Sequence, residues 1–381
     1  MDEKPIKVAQ VLGFVAEGGV ESMVMSYYRN IDKAKVQFDF LVECTSKIIN
    51  KEEIEKMGGK IIIIPSMNNI FKYEKQLKSI FKENNYDIVH AQKSTLNIFP
   101  LYAAKKAGIK VRISHSHSTS NKIEWKRNII KNILRPFSKL YATDYFACSE
   151  LAGRYLFGNK TFDQGKVTII NNAIDINKFK FNEEFRSQIR KKYNIENKFV
   201  IGHIGRFVTQ KNHSFLIDIF YEYQMINPNS CLLLIGDGPL FNEIKDKVNK
   251  LNINDKVIFV GSCFDTEKYY SAMDLFLLPS LYEGLPVVGV EAQINGINCL
   301  FSDTITKEIK VTDNANFLSL KNSSKEWALE INKTKEKDLN DRKLNSDLFV
   351  NSKYDIKNEA SNLLELYNTM MKRKQLEYKN D

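Results

Sequence analysis

The sequence predicts an α/β protein with two tandem domains, each built on a doubly wound parallel sheet. The length of 381 residues fits two domains. Short apolar runs alternate with helix-like segments, and this alternation pauses near residues 167–179 before it begins again. Apolar residues make up 43% of the chain, so each half can bury a core of its own.

The first series of strand-like runs is rich in Val, Ile and Phe. Its members are IKVAQVLGF (6–14), FDFLVE (38–43), KIIIIP (60–65), YDIVHA (86–91), VRISHS (111–116) and DYFACS (144–149). Segments with helical periodicity lie between them, at 20–31, 72–84 and 99–108. Strands that alternate with helices predict parallel pairing, because a parallel connection needs a long crossover.

The second series repeats this pattern. Its strand-like runs are KFVIGHIGRF (198–207), SCLLLIGDG (230–238), KVIFVGS (256–262) and DLFLLPS (274–280), and its helices fall near 213–224, 240–251 and 285–295. We therefore predict two Rossmann-like domains, at 1–178 and 179–356, with an interdomain cleft where ligands bind at the carboxyl ends of the strands. A last helix over about 357–375 is expected to pack back on the first domain.

The net charge of +10 lies in the first half. Residues 1–178 carry 28 Lys and Arg against 18 Asp and Glu, whereas the remainder is balanced. This excess favours an anionic partner for the first half, such as a membrane surface, an anionic lipid substrate or nucleic acid. A solvated basic surface is the simpler alternative. The interleaved basic and aromatic residues of a nucleic-acid groove are missing, so we expect no nucleic acid.

Several classes of protein are disfavoured by composition. No apolar run approaches the roughly 20 residues of a membrane span, and the charged start MDEKPIKVAQ does not resemble a signal peptide. The five cysteines are scattered without a C-x-x-C pair, and no D-x-D pair occurs. We therefore expect a cytoplasmic protein with neither a metal nor a cofactor.

Two glycine-containing segments could bind an anion. GRFVTQKN (205–212) follows a strand and brings Arg206 and Lys211 to its carboxyl end, where two cations suit a diphosphate. Two solvated loop charges explain the same pattern equally well. Gly18 and Gly19 open a predicted helix, whose amides could approach an anion, although a tight turn is the simpler explanation.

YEGLPVVGVE (282–291) places two carboxylates in an apolar segment. Pro286 suits the start of a helix, and Gly284 allows close approach to the backbone. We predict free amides at Gly284, Leu285 and Val287, where a phosphate or sugar oxygen could bind. A capping role for Glu283 is the bland alternative. It does not explain Glu291, because a buried unpaired carboxylate is costly.

These motifs together resemble a known family. Glu-x7-Glu with GLP after the first Glu and AQ after the second, GRFVTQKN, IGDGP and GGVE occur in the order found in retaining family-4 glycosyltransferases of the GT-B fold. The resemblance covers nearly the whole chain and is closest to bacterial exopolysaccharide and capsule glycosyltransferases. Ala173 and the segment EAQINGINC depart from the usual family pattern.

The resemblance implies a donor site for a nucleotide sugar. Glu291 would hold the ribose, Glu283 would contact the donor hexose, and Arg206 with Lys211 would neutralise the diphosphate. Three backbone positions would lie near the donor: Gly19, Gly284 and Leu285. His117 would face the donor sugar, with His115 as the fallback.

The resemblance also implies a reaction. It is metal-independent transfer of a hexosyl unit with retention, in which Glu283 either acts as a nucleophile or only positions the donor. A UDP-sugar is the expected donor, because polysaccharide enzymes commonly use one. Alternatives are a sugar-nucleotide epimerase of the same fold and a glycosyltransferase that acts on a protein or lipid.

A lipid-diphosphate-linked saccharide is the expected acceptor, bound by the first domain. KIEWKRNIIKNILRPFSK (122–139) has six basic residues, one acidic residue and apolar residues at helical spacing. Such a segment can lie on an anionic bilayer, which would make the enzyme peripheral on the inner face of the membrane. A surface helix that packs on the domain is the equal alternative.

Overall fold

The computed structural model describes residues 4–13, 19–44, 46, 51–117, 133–263, 265–334 and 339–379. The chain divides into two compact units: Met1–Ala173 with Lys353–Asp381, and Ile174–Ser352. The division comes earlier than the predicted boundary after residue 178. Residues 174–178 belong to the second unit because Ile174 and Ile176 are buried there and the side chain of Asn295 donates to the Phe179 carbonyl at 2.9 Å.

Within the described residues, seven parallel strands form the sheet of the first unit. They are β1 (Ile6–Gly13), β2 (Val36–Glu43), β3 (Lys60–Ile64), β4 (Ile88–Ala91), β5 (Val111–Ser116), β6 (Asp144–Ala147) and β7 (Val167–Ile169). Their order is β3-β2-β1-β4-β5-β6-β7. Val8 in the central β1 pairs with Phe38 on one side and Ile88 on the other.

Helices connect these strands. They are α1 (Gly19–Asn30), α2 (Lys51–Lys56), α3 (Ile70–Asn84), α4 (Ile98–Lys106), α5 (Glu150–Phe157) and α6 (Asn159–Asp163). Capping residues set several of the ends: the Asn69 side chain accepts from the Lys72 amide at 3.0 Å, and the Ser149 side chain accepts from the Ala152 amide at 3.2 Å. The helix α3 ends at Asn85, whose φ of 52° is left-handed.

The second unit has a parallel sheet of six described strands in the order β10-β9-β8-β11-β12-β13. These strands are β8 (Phe199–Ile204), β9 (Ser230–Ile235), β10 (Val257–Gly261), β11 (Leu275–Leu278), β12 (Asn298–Ser302) and β13 (Ala315–Leu318). Its helices are α7 (Ile176–Phe179), α8 (Glu183–Lys192), α9 (His213–Ile226), α10 (Phe241–Lys250), α11 (Thr266–Ala272), α12 (Val287–Ile294), α13 (Ser324–Lys333) and α14 (Leu339–Asn345). Short 3-10 turns lie at Ser94–Asn97, Arg135–Phe137, Thr209–Lys211, Lys307–Ile309 and Ser346–Phe349.

In the second unit, a buried charge cluster joins the helix α8 to the residue that precedes β11. The carboxylate of Asp274, just before β11, contacts Arg186 at 2.7 Å and Arg190 at 2.5 Å. The same carboxylate accepts from the Val200 amide at 2.8 Å. Through the Val200 amide, the cluster fixes the start of β8 beside β11. Removing one of its charged residues would be destabilising, because it would leave an uncompensated buried charge.

The last helix, α15 (Ile356–Lys379), belongs to the first unit. Its buried residues recur every three or four positions and form one apolar face: Ile356, Ala360, Leu363, Tyr367 and Met370. Two polar contacts anchor it, Arg373 to Asp144 at 2.7 Å and Asn171 to Glu359 at 3.0 Å. None of the helices in the described ranges is both long enough and apolar enough to span a bilayer.

Candidate functional site

The loop after β8 packs directly on the loop after β9. The Phe207 amide donates to the Asp237 carbonyl at 2.9 Å, and the Leu240 amide donates to the Phe207 carbonyl at 3.1 Å. A Cβ added to Gly236 would lie 2.2 Å from the Gly205 carbonyl oxygen, so only glycine permits this approach. The IGDGP motif therefore supports the backbone beside Arg206.

Arg206 leaves this loop with an exposed side chain. Within the ranges the structure covers, its guanidinium makes neither a hydrogen bond nor an ion pair. A guanidinium presents several donors in a fixed planar arrangement that matches phosphate oxygens. Arg206 is thus a cation available to bind an anion at the carboxyl edge of the second sheet.

Lys211 differs from Arg206, because it is already paired with Glu283. The Lys211 ammonium lies 2.5 Å from Glu283 Oε1, and both side chains are largely buried. Ser280 Oγ also donates to Oε1 at 3.0 Å, and Gln210 Nε2 donates to Oε2 at 2.9 Å. Glu283 is therefore a carboxylate with both oxygens hydrogen-bonded, and Lys211 offsets its charge.

The backbone around Glu283 is also fixed. The Ser280 carbonyl accepts from Ser302 Oγ at 2.6 Å and from Thr304 Oγ1 at 2.8 Å. The Leu281 amide donates to the Gln210 carbonyl at 2.8 Å. These bonds join the loop after β11 to the loops after β8 and β12, so the position of Glu283 is set by three strands.

The helix α12 begins directly after this loop. Pro286 is its N-cap and supplies no side-chain cap. The Gly289 amide donates to the Pro286 carbonyl at 3.0 Å, so the amides of the first two helical residues are the ones that lack an intrahelical acceptor. Gly284 is exposed, and a Cβ placed there would meet no atom within 4 Å. Gly284 and Leu285 therefore leave an open approach to a helix N-terminus, whose dipole favours anions.

Glu291 lies in the second turn of α12 and accepts from the Tyr270 hydroxyl at 2.8 Å. The same hydroxyl lies 3.0 Å from the Val288 carbonyl, and its single proton can serve only one of these acceptors at a time. Burial raises the pKa of Glu291 to about 7, against the lowering effects of the Tyr270 hydrogen bond and Lys178. Lys178 in turn pairs with Glu267 at 3.5 Å.

Gly19 and His117 belong to the first unit. Gly19 is the first residue of α1, and its Cβ position is open, whereas Gly18 lies outside the described residues. His117 follows β5 and is partly exposed. Its Nε2 lies 2.6 Å from Gln92 Oε1, and its ring stacks on His115 with centroids 4.0 Å apart.

The predicted site residues of the second unit thus lie on adjacent loops and one helix. Arg206, Lys211, Glu283, Gly284, Leu285 and Glu291 all follow the carboxyl ends of β8 or β11. Sequence reasoning missed Gln210, Ser280 and Tyr270, which orient the two carboxylates. Ser280 and Gln210 carried a weak signal, since both are polar residues just after strands. Tyr270 carried none, because a helical tyrosine usually packs in a core.

Two buried histidines of the second unit, His203 and His213, lie near the loop that carries Arg206. His213 stacks on Phe207 with centroids 4.0 Å apart and meets His203 edge-on at 4.7 Å. Burial and the nearby Lys211 lower the pKa of His213 to about 4. Both rings therefore stay neutral and pack beneath the loop that carries Arg206.

Comparison with known proteins identifies the family. The family described as Glycosyltransferase Family 4 matches residues 17–178, and the family described as Glycosyl transferases group 1 matches residues 185–348. A Bacillus subtilis (strain 168) protein named as glycosyltransferase EpsF is 34% identical over 97% of this chain and 98% of its own length. The chain is a glycosyltransferase of this family. The predicted family and enzyme class are confirmed.

Two further relatives share less sequence with this glycosyltransferase. An Escherichia coli protein named UDP-Gal:alpha-D-GlcNAc-diphosphoundecaprenol alpha-1,3-galactosyltransferase is 25% identical over 78% of this chain and 79% of its own length. A Staphylococcus aureus protein named capsular polysaccharide biosynthesis glycosyltransferase CapH is 27% identical over 80% of this chain and 82% of its own length.

The fold is shared with solved structures. Anabaena Alr3699/HepE, solved in complex with UDP and glucose, has a TM-score of 0.77 over 95% of this chain and 99% of its own, at 19% identity. WaaG, described as a glycosyltransferase involved in lipopolysaccharide biosynthesis, has a TM-score of 0.68 over 94% of this chain and 99% of its own, at 14% identity. The predicted GT-B fold is thereby confirmed.

Glu291 makes the stability of the glycosyltransferase depend on pH. Its folded-state pKa of about 7 lies above the ordinary 4.5, so its contribution is fully present below pH 4.5 and is lost as the pH rises through 7. Relative to Glu291→Gln, we expect the wild-type free energy of unfolding to fall by about 2 kcal/mol between pH 5 and pH 8. Urea denaturation of both proteins at the two pH values measures this difference, and parallel pH profiles would contradict it.

Proposed function

We propose that this enzyme transfers a hexosyl unit from a nucleotide sugar to a lipid-linked saccharide, with retention at the anomeric carbon. This transfer would be a step in the synthesis of a cell-surface polysaccharide, either capsule or exopolysaccharide. One observation carries the proposal. Arg206, which has no partner among the described residues, and the hydrogen-bonded Glu283–Lys211 pair follow neighbouring strands at the carboxyl end of one sheet, where a helix N-terminus without a side-chain cap begins.

Arg206 and the amides of α12 are suited to the donor diphosphate. The leaving group carries the charge that develops during transfer, and preorganised donors that stabilise this charge lower the barrier. Arg206 can bind the diphosphate without first breaking an ion pair to another described residue. Lys211 keeps its charge beside Glu283 and can add to the positive potential, while Glu291 and its Tyr270 contact would bind the ribose hydroxyls.

Glu283 is proposed to position the donor sugar and not to attack it. Both of its oxygens already accept hydrogen bonds, Oε1 from Lys211 and Ser280 and Oε2 from Gln210. Such bonds hold the carboxylate in one orientation and reduce its nucleophilicity. Oε2 accepts only one of these bonds and can accept a second from a hydroxyl group of a hexose.

The chemical step follows from this assignment. The bond between the anomeric carbon and the diphosphate oxygen breaks as the acceptor hydroxyl oxygen bonds to the same carbon on the same face. The hydroxyl proton passes to the departing phosphate oxygen, so no further base is required. His117 belongs to the same proposal and would contact the sugar being transferred.

The nature of donor and acceptor is supported by the relatives. The Escherichia coli protein is named for UDP-Gal and a diphosphoundecaprenol acceptor, and the Staphylococcus aureus protein for capsular polysaccharide. HepE was solved with UDP and glucose. We therefore propose a UDP-sugar as donor and a polyprenyl-diphosphate-linked saccharide as acceptor, with the acceptor on the basic first unit.

Because a polyprenyl-linked acceptor would lie in a membrane, we also propose a membrane-facing surface on the first unit. Ile133, Phe137 and Leu140 are 62%, 48% and 57% exposed, and Arg135 and Lys139 lie among them. Residues 118–132, which include most of the predicted amphipathic segment, lie outside the described residues. We propose that the exposed side chains dock on an anionic bilayer at the inner face of the membrane, since apolar contact and basic charge act together there.

Sugar-nucleotide binding should depend on Arg206. A ligand that binds only the folded state raises its stability, by about 2.7 kcal/mol at a hundred times the dissociation constant. We expect one member of a panel of UDP-, GDP- and ADP-sugars to raise the melting temperature of the wild type and of the control Lys245→Ala, an exposed cation elsewhere in the second unit. Arg206→Ala should lose most of the shift.

A panel without any stabilising nucleotide sugar would overturn the proposed donor. Equal shifts in Arg206→Ala and Lys245→Ala would overturn the role of Arg206. Conversion of the nucleotide sugar to an epimer without an acceptor would favour the epimerase alternative.

Membrane binding should depend on the three exposed apolar residues. We expect the triple variant Ile133→Ser/Phe137→Ser/Leu140→Ser to lose most of its binding to phosphatidylglycerol vesicles at low salt in a flotation assay. The control is Leu329→Ser/Leu344→Ser, which removes apolar residues that are 46% and 67% exposed in the second unit. Equal flotation of both variants, or none by the wild type, would contradict the docking surface.

A further inference from the structure

A continuous chain of hydrogen bonds runs from His117 through the interior of the first unit. His117 Nε2 lies 2.6 Å from Gln92 Oε1, and Gln92 Nε2 donates to Gln10 Oε1 at 2.8 Å. Gln10 Nε2 donates to the Tyr367 hydroxyl at 3.3 Å. The chain thus joins the residues after β4 and β5 to the centre of β1 and to α15.

The chain continues from Tyr367 into two more histidines. The Tyr367 oxygen lies 2.8 Å from His90 Nδ1, and His90 Nε2 lies 3.0 Å from His115 Nδ1. The rings of His90 and His115 stack with centroids 5.1 Å apart, and that of His117 stacks on His115. Among the described residues, His115 Nε2 has no partner and ends the chain.

Loss of hydration favours the neutral form of all three imidazoles: His90 and His115 are buried, and the partly exposed His117 ring stacks on His115. Desolvation lowers the pKa of His90 and of His117 to about 3, and that of His115 well below its ordinary value. A neutral imidazole has one nitrogen that donates and one that accepts. The tautomer of each ring, and not its charge, is therefore the variable that the surroundings set near neutral pH.

The glutamine amides give the chain one direction. Gln92 turns its NH2 group to Gln10, so its oxygen faces His117 and must accept from His117 Nε2–H. Because Gln10 donates to Tyr367, the tyrosine proton goes to His90 Nδ1, and His90 Nε2–H goes to His115 Nδ1. Reversal would require both amides to turn over and all three rings to exchange their protonated nitrogen, so the chain behaves as one unit.

We propose that Gln92, Gln10 and Tyr367 are positioning residues that hold His117 as the Nε2–H tautomer. His117 Nδ1 then remains an acceptor, which suits a hydroxyl donor on the sugar and excludes a group that can only accept. This last step rests on the proposed function, whereas the tautomer itself does not.

The proposal gives α15 a role beyond packing. Tyr367 comes from the end of the chain and is fully buried against Phe38, with ring centroids 6.2 Å apart. The ion pair of Arg373 with Asp144 and the contact of Asn171 with Glu359 fix the register of this helix on the first unit. The hydroxyl is therefore delivered to a set position between Gln10 and His90.

The tautomers can be measured on the full chain without any substrate. The protein has five histidines, so two-bond nitrogen–proton correlation spectra of histidine-labelled protein are simple, and a His117→Asn variant assigns the signals of His117. We expect wild-type His117 to carry its proton on Nε2 between pH 6 and pH 8. Gln92→Leu should give a mixture of tautomers, whereas Gln92→Glu, which still accepts from Nε2–H, should keep the wild-type form.

Tyr367→Phe tests whether the far end of the chain matters. Its matched control is Tyr28→Phe, since Tyr28 is a buried tyrosine of the same core whose hydroxyl donates to the Met57 carbonyl at 3.1 Å outside the chain. We expect Tyr367→Phe, but not Tyr28→Phe, to shift the His117 signals towards a mixture. With the donor sugar bound, Gln92→Leu should lower kcat roughly tenfold and change KM much less.

Either of two spectra would overturn the proposal: a wild-type His117 protonated on Nδ1, or a His117 signal unchanged in Gln92→Leu. If Gln92→Leu does not fold, Gln92→Glu and Tyr367→Phe still decide the matter. If the wild type binds no nucleotide sugar, the proposed function is overturned but the tautomer assignment still stands. A failure of the proposed function can therefore be distinguished from a failure of the tautomer assignment.

Discussion

Within each sheet, all the described strands pair in parallel, and the arrangement of the polar residues follows from this constraint. Parallel strands bring their carboxyl ends to one edge, where loops leave the sheet and helices begin. The apolar interior is thus separated from an edge that carries Arg206, Glu283 and α12 in the second unit. In the first unit the same constraint brings Gln92 and His117 together, since they follow β4 and β5.

The polar groups at these edges are costly to bury, and the structure satisfies most of them in pairs or chains. Glu283 receives three donors, and Asp274 holds two arginines. Both arrangements fix loop geometry more than they add stability, because a buried ion pair gains little over an apolar packing of the same volume. Arg206 is the contrast: it has no partner in the described part of the chain, at a site otherwise organised by paired charges, and this is consistent with binding an anionic substrate.

Local patterns in the sequence were sufficient for the fold and for the placement of two motifs after strands. Alternating apolar runs marked the strands, and GRFVTQKN and YEGLPVVGVE fell after strands as expected. The pairing of side chains could not be predicted from local sequence patterns, because it depends on residues distant in sequence. Nothing local links Gln10 and Gln92 to Tyr367, or shows that Lys211 pairs with Glu283. The unit boundary was displaced for a similar reason, since Ile174 and Ile176 show their burial only in three dimensions.

The reaction that we propose for this glycosyltransferase transfers a sugar from a nucleotide sugar to an acceptor, with retention of configuration at the anomeric carbon. The most direct measurement incubates the protein with its stabilising nucleotide sugar and a polyprenyl-diphosphate-linked saccharide, and determines the product's anomeric configuration by NMR. We expect nucleoside diphosphate to be released in step with an acceptor-dependent product whose anomeric configuration matches that of the donor. An inverted linkage, or donor conversion that needs no acceptor, would contradict it.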